Sequence, residues 1–402
     1  MGRDFVKEFI KKNYALFIIG FMYFLMGAEN SGYQVSLISI SDELGLIEST
    51  KGLIVAVQYA AMLIATLIFG SFGDRFGKKK MTIIFLMVLV SGCGLITFST
   101  DITMFGIGIF LVGAGLAMAN TLVTAAIIDI YPVSNSRRMT LAQIMYSLGA
   151  VLAPLIFSAL MNNGMNWRYV FTTIGVLSLI AGIGYSILNY VPQEVVFESS
   201  NSDTGENETN SNKLPWLFIS LFIILFVVYV GTETGFAYFI GSFFEFNLNA
   251  RVLAAGCISL FWAMEIIGRI ISAVLNKYKY KLLIVCFVGM TLSVLLMGSS
   301  TSVTTAYVFA GLAGLFCGPV YPLLASIGVS LAPKKTATVS GFFVASSGVG
   351  GMVIPLILGS IGGSVGYNFS FYFLGAFVLI AVAAYTVFLV KAKPESKKST
   401  KN

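Results

Sequence analysis

The chain has 402 residues, of which 57% are hydrophobic and only 11% charged, with a net charge of +7 and no histidine. Soluble domains carry about 25% charged residues, so this composition excludes a soluble globular protein and places the chain in lipid. Apolar runs predict membrane-crossing helices at Tyr14 to Ile40, Gly52 to Phe72, Met81 to Ser99, Met104 to Ile128, Thr140 to Leu160 and Tyr169 to Val191. Six more follow, at Trp216 to Phe244, Leu253 to Leu275, Leu282 to Ser299, Val303 to Leu331, Val339 to Ile361 and Phe369 to Val390. Each is about 18 residues or longer, enough to cross a hydrocarbon core of about 30 Å. Barrel strands are shorter and alternate in polarity, whereas these runs are apolar on every side.

No cleavage motif follows the first run, so it is read as a retained helix. Basic residues crowd alternate connections: the N-terminus, Arg75 with Lys78 to Lys80, Arg137 with Arg138, Lys277 to Lys281, Lys334 with Lys335, and the C-terminal tail. The opposite connections hold only Lys51, Arg168 and Arg251. Positive loops stay cytoplasmic, so both termini are expected there, in a plasma membrane. This asymmetry and attraction to anionic lipid account for the net charge without a nucleic-acid partner. Cys93, Cys257, Cys286 and Cys317 lie inside apolar runs without metal-ligand spacing and read as small buried hydrophobes; no metal or cofactor is implied.

Between Pro192 and Lys213 the composition turns to Glu, Ser, Asn and Asp, too polar to bury anything. The chain is therefore divided into a six-helix bundle at 1–191, a linker at 192–213 and a second bundle at 214–402. The halves repeat one another. Gly27-Ala-Glu-Asn-Ser-Gly32 is echoed by Gly231-Thr-Glu-Thr-Gly235, and Gly113, Pro132 and Pro154 by Gly311, Pro333 and Pro355. Two six-helix bundles related by a pseudo-twofold axis place a substrate site at their interface near the midplane, the arrangement of an alternating-access transporter. A membrane enzyme finds no nucleophile elbow, histidine or metal spacing to support it, and the repeat argues against a channel or receptor.

Four ionisable residues lie within spans: Glu29, Glu233, Glu265 and Arg269. Such charges cost a few kcal/mol unless paired or placed on a pathway. Glu29 and Glu233 occupy equivalent places in helices one and seven, so the pseudo-twofold predicts them on facing walls of a central cavity. They are read as proton couplers, with binding of Na⁺ or a cationic substrate and a hydrogen-bonded structural role as alternatives. Glu265 and Arg269 are spaced i,i+4 and predict an ion pair, either a gating element or part of the substrate site. Asn30, Tyr33, Gln34, Gln58, Tyr59, Asn120, Thr124, Gln143, Tyr146, Tyr238, Trp262, Tyr321, Ser346 and Ser347 complete a polar and aromatic lining suited to a hydroxylated solute such as a sugar. The same residue types also serve as helix-packing glue.

The most specific motif is Gly70-Ser-Phe-Gly-Asp74-Arg75-Phe-Gly77-Lys78-Lys79-Lys80. A phosphate-cradling loop is rejected, because Phe72 and Lys79 stand where glycine and a hydroxyl residue are required. The motif is a glycine-permitted turn holding an acid and bases at the membrane rim, where Asp74 can face a helix N-terminus of the other half. It is similar to the signature of the major facilitator superfamily, with Lys78 in place of arginine. Asn166-Trp167-Arg168, and Asp129 with Pro132, Arg137 and Arg138, resemble further loops of that superfamily. The resemblance implies twelve helices in two pseudo-twofold-related bundles, a monomer, and a clasp made by Asp74, Arg75 and Lys78 in the outward-facing state. Gly268-Arg269, Gly318-Pro-Val-Tyr-Pro322 and Gly348-Val-Gly-Gly-Met-Val-Ile-Pro355 resemble the fucose permease-like branch of sugar:proton symporters. The expected function is proton-coupled uptake of a sugar-like solute, with export of cationic or amphipathic compounds as the alternative.

Overall fold

The computed structural model describes residues 2–70, 72–131, 135–188, 216–331 and 336–399. The expected linker at 192–213, the loop residues Pro132, Pro333, Lys334 and Lys335, and the side chains of Asp74, Asp129 and Arg137 lie outside that description. Among the described residues, twelve helices are long and apolar enough to cross a membrane. In lipid the backbone must satisfy its own polar groups, and a helix of uniformly apolar residues does so within one segment.

The first half comprises α1 (Gly2–Leu44), α2 (Glu48–Phe69), the short α3 (Phe72–Phe76), α4 (Lys78–Thr97), α5 (Ile102–Ile130), α6 (Asn135–Asn162) and α7 (Arg168–Ile187). The second comprises α8 (Trp216–Phe246), α9 (Ala254–Val274), α10 (Lys279–Gly298), α11 (Val303–Cys317), α12 (Val320–Ser330), α13 (Thr336–Val365) and α14 (Tyr367–Ser399). The expected single helix from Val303 to Leu331 is interrupted at Gly318-Pro319, where proline supplies no N–H to the ladder. Equivalent caps begin the fourth and tenth spans: Asp101 accepts from the backbone N–H groups of Thr103 and Met104 at 2.8 and 3.0 Å, and Ser302 from that of Thr305 at 3.2 Å.

The repeated glycines are where helices nearly touch. A Cβ at Gly27 would lie 1.9 Å from the Tyr146 carbonyl oxygen, and one at Gly149 2.0 Å from that of Phe24, so α1 and α6 meet backbone to backbone. The matching positions of the second half do the same between α8 and α13: a Cβ at Gly350 would stand 2.2 Å from the Val227 carbonyl oxygen, and one at Gly231 2.4 Å from Ile354. Small residues at these crossings let dispersion contacts hold helices that lipid alone would not drive together. Asn166-Trp167-Arg168 ties the N-terminal end of α7 to its neighbours. Trp167 donates to Glu43 at 2.7 Å, Arg168 pairs with the same carboxylate, and Arg168 also donates to the Ser99 carbonyl at 2.7 Å.

Between halves, α2 packs on α13, α6 on α9 and α1 on α8. The first two pairs exchange under the pseudo-twofold and the third maps onto itself, as two related bundles require. At the end carrying the 44–48 connection the halves are in contact. There Arg251 pairs with Asp42 at 2.5 Å and donates to Ser39 at 3.1 Å, Tyr367 donates to Glu48, and the Lys51 ammonium sits 5.2 Å above the Phe246 ring. A Cβ at Gly52 would lie 2.2 Å from the Pro355 carbonyl oxygen. This end is shut by contacts between the two halves.

Candidate functional site

At mid-helix the expected polar residues bond one another across the interface. Tyr238 of α8 donates to Asn30 and to Gln58, each at 3.2 Å; Trp262 of α9 donates to Gln34 at 3.1 Å; Thr234 of α8 donates to Tyr59 at 3.2 Å. Tyr146 joins this belt by accepting from Asn30 at 2.9 Å and by an edge contact with Trp262, ring centroids 6.4 Å apart. Amides, phenols and an indole thus form a layer whose hydrogen bonds run from half to half.

The two acids at equivalent places have different surroundings. Glu29 is buried and accepts from Gln58 at 2.9 Å, while its second oxygen, Oε2, has no partner among the described residues. Glu233 is half-buried and accepts from Tyr229 at 2.7 Å. It also lies beside the expected ion pair: Arg269 donates to Glu265 Oε1 at 2.5 Å, and an oxygen of Glu233, an oxygen of Glu265 and the Cys317 sulfur fall within 4.8 Å of one another. Arg269 reaches across the interface as well, donating to Ser147 of α6 at 3.0 Å. Sequence spacing pointed to the pair between Glu265 and Arg269 but not to Glu233 and Cys317 beside it, since that depends on how α8, α9 and α11 are rotated against each other. All four cysteines are free and buried.

Other lining candidates are turned into packing in this state. Thr124 is bonded to Tyr23 at 2.6 Å within the first half, and Ser346 and Ser347 donate to the carbonyls of Phe342 and Phe343 in their own helix. Tyr33 is fully buried among Phe105, Phe171 and Tyr238. Tyr321 is exposed, with its ring edge on Phe226, and Asn120 and Gln143 are exposed. In the loop motif, Gly77 has φ of +92° and caps α4, the turn that only glycine adopts freely. Arg75 lies 5.4 Å from the Phe76 ring, Lys78 begins α4, and Arg138 stacks 4.9 Å over Tyr131. Sequence reasoning missed Asp42, Glu43 and Glu48, which lie in or next to the first connection; the sparse basic residues of the facing loops were the signal that acids must answer them.

A family model described as Major Facilitator Superfamily matches residues 19–280 and 274–402. The chain is 26% identical over 270 residues to the glucose/mannose transporter GlcP of Bacillus subtilis, a match spanning 62% of this chain and 63% of that relative. It is 24% identical over 388 residues to a glucose/galactose transporter of Brucella abortus biovar 1, covering 90% of this chain and 91% of the relative. Among solved structures, a variant of the E. coli fucose:proton symporter FucP superposes with a TM-score of 0.62 at 15% identity, covering 92% of this chain and 98% of that one.

Proposed function

We propose that this chain, which belongs to the Major Facilitator Superfamily, is a proton-coupled, alternating-access carrier for a sugar-like solute. The observation that carries the reading is the cross-half belt of Asn30, Gln34, Gln58, Tyr59, Tyr238 and Trp262. Amides and hydroxyls that bond each other between halves can bond a polyhydroxylated solute instead, and aromatic faces suit its C–H surface. Exchange of protein partners for solute partners lets the halves part without leaving buried polar groups unmet. The sugar transporters named among the relatives support the same solute class.

In this reading the halves span 1–191 and 214–402, joined by the 192–213 linker, and rock about the site as a monomer in the plasma membrane with both termini cytoplasmic. The 44–48 end is then extracellular and shut, so the protein faces inward. Glu29 and Glu233 are the candidate proton carriers; Asp74, Arg75, Lys78, Asp129, Arg137, Arg138 and Arg269 serve gating. The alternative is an exporter of cationic compounds, favoured by two acids against one base around Glu233.

The test is uptake into proteoliposomes under an inward proton gradient, with a panel of labelled sugars, for the native chain, Glu29→Gln and Glu233→Gln. Accumulation of one sugar that depends on the gradient, with a Gln variant that still exchanges but no longer accumulates, is the expected outcome. Movement of cationic dyes with no sugar transported selects the alternative.

A further inference from the structure

Glu233, Glu265 and Arg269 place two acids and one base in one mid-membrane cluster. With both carboxyl groups ionised, the cluster carries one uncompensated negative charge, which is costly within a membrane. Glu265 is buried, and although Oε1 is held by Arg269, Oε2 has no hydrogen-bond partner among the described residues. A carboxyl oxygen of Glu265 and one of Glu233 lie within 4.8 Å of each other, and neither acid brings a donor to the other unless a proton is present.

The groups facing the cluster do not supply the missing charge. From α8, Tyr229 donates to Glu233; from α11, Cys317 abuts both acids; from α12, Tyr321 lies within electrostatic reach of Glu233 and Arg269. From α6, Tyr146 and Ser147 face it, and Tyr59 of α2 lies within reach of both Glu233 and Glu29. The α13 helix, which packs along α8, has no ionisable residue. Arg269 is the one cation among these groups.

We propose that Glu233 and Glu265 jointly hold a single proton, with Arg269 as the fixed countercharge. One proton brings the cluster to neutrality and supplies an O–H between two acids that otherwise bring only acceptors. Glu233, half-buried where Glu29 and Glu265 are fully buried, is the group through which the proton enters and leaves. The inference deepens the proton-coupled reading and rests on it for the proton's role in transport. The Arg269 guanidinium on Glu265 already brings a positive charge to this place, which disfavours a second cation there.

The site is tested without any solute, by infrared difference spectroscopy of the purified, lipid-reconstituted protein as pH is stepped in sodium-free buffer. The native chain is expected to show two protonated buried carboxyl contributions, one from the cluster and one from Glu29, which is buried with its own Oε2 unpartnered among the described residues. Glu29→Gln should remove its own contribution and leave that of the cluster. Glu233→Gln and Glu265→Gln should each abolish the cluster's contribution, because the remaining acid is neutralised by Arg269, and leave that of Glu29. Arg269→Gln should double the cluster's amplitude, two acids then needing two protons. A cluster contribution that survives in Glu233→Gln or Glu265→Gln, or that vanishes in Glu29→Gln, overturns the proposal. Glu233→Gln alters the half-buried member and carries the test alone if Glu265→Gln does not fold. Displacement of the cluster's contribution by sodium ions at constant pH makes the cluster a sodium site and also overturns it. Gradient-driven sugar uptake by the same preparations tests the transport reading separately: the expected bands without sugar uptake leave the proton site standing and remove the sugar assignment.

Discussion

Replacing Gly52 by valine should drive the protein out of the state in which the 44–48 end is shut. The new Cβ would lie 2.2 Å from the Pro355 carbonyl oxygen, 2.9 Å from its carbon and 3.0 Å from the Leu356 Cα, all backbone atoms that cannot swing aside. Ordinary contact is about 3.5–4 Å, so α2 and α13 must separate by more than about 1 Å there. Overpacking of this kind costs about 1–3 kcal/mol. Because α2 and α13 belong to different halves, the cost falls only on the state in which they touch, and the conformational ratio should shift about 5- to 150-fold. Spin labels at Ile47 and Val252, exposed residues of opposite halves at this end, report the separation by pulsed electron resonance, and the buried native cysteines leave little background. The control is Gly149→Val, whose Cβ would meet Phe24 within one half at 2.0 Å; it should lower the melting temperature without moving the label distance. An unchanged distance distribution in Gly52→Val, at native stability, would refute the argument that this crossing sets the state.

Tyr238→Phe removes one cross-half donor, shared between Asn30 and Gln58, and leaves their oxygens needing another; at about 0.5–1.5 kcal/mol per hydrogen bond, the label distances should shift in the same direction by about that much in population. A distribution identical to the native one would remove Tyr238 from the latch. Arg251→Ala breaks a pair whose side chains are 40% and 56% exposed, so the shift should stay within about 1 kcal/mol, roughly fivefold at most, and fade in high salt. A larger, salt-independent effect would mean Arg251 acts through something other than that pair. At Asp101, two backbone N–H groups hold the carboxyl below the usual carboxylate range. Since its folded value is depressed, its stabilisation is complete above about pH 4 and is lost as pH falls through the folded value. The melting-temperature gap between native protein and Asp101→Ala should therefore be present at neutral pH and narrow in acid; a gap constant with pH would contradict the cap's charge dependence.

The helices and the duplication were legible because lipid imposes a long apolar run on every span and because glycines repeated in the two halves, such as Gly27 and Gly231, sit where helices cross too closely for a side chain. The pair between Glu265 and Arg269 was legible for a local reason, since i,i+4 residues share a helix face. The convergence of Glu233 and Cys317 on that pair was not, because nothing in one helix's sequence fixes its rotation against two others. The belt residues were picked out by type, yet type did not separate Tyr238 and Trp262, which bond across halves, from Thr124, Ser346 and Ser347, which bond within one half. A hydroxyl in a membrane helix can always donate to its own carbonyl four residues back, so serine and threonine are weak markers of a site, whereas phenol, indole and long amide groups reach beyond their own helix.

Charge placement ties the two ends of the cycle together. Lys51, Arg168 and Arg251, the basic residues of the sparsely charged connections, are each paired with an acid near the first connection: Glu48, Glu43 and Asp42. Of these pairs, that of Arg251 with Asp42 joins the halves, and its partners are exposed enough to be solvated when it opens, so separating them costs little. The belt beneath is different, because Gln34, Gln58, Tyr238 and Trp262 are buried and must find new partners when the halves part. In the proposed alternating-access reading, contacts that open cheaply at the 44–48 end and belt contacts that need a hydroxylated substitute let the halves part readily only when such a solute is present. A quaternary ammonium or metal cation could neutralise Glu233 but carries no N–H or O–H to replace the donors that Tyr238 and Trp262 supply to Asn30, Gln58 and Gln34, which favours a hydroxylated solute over such cations.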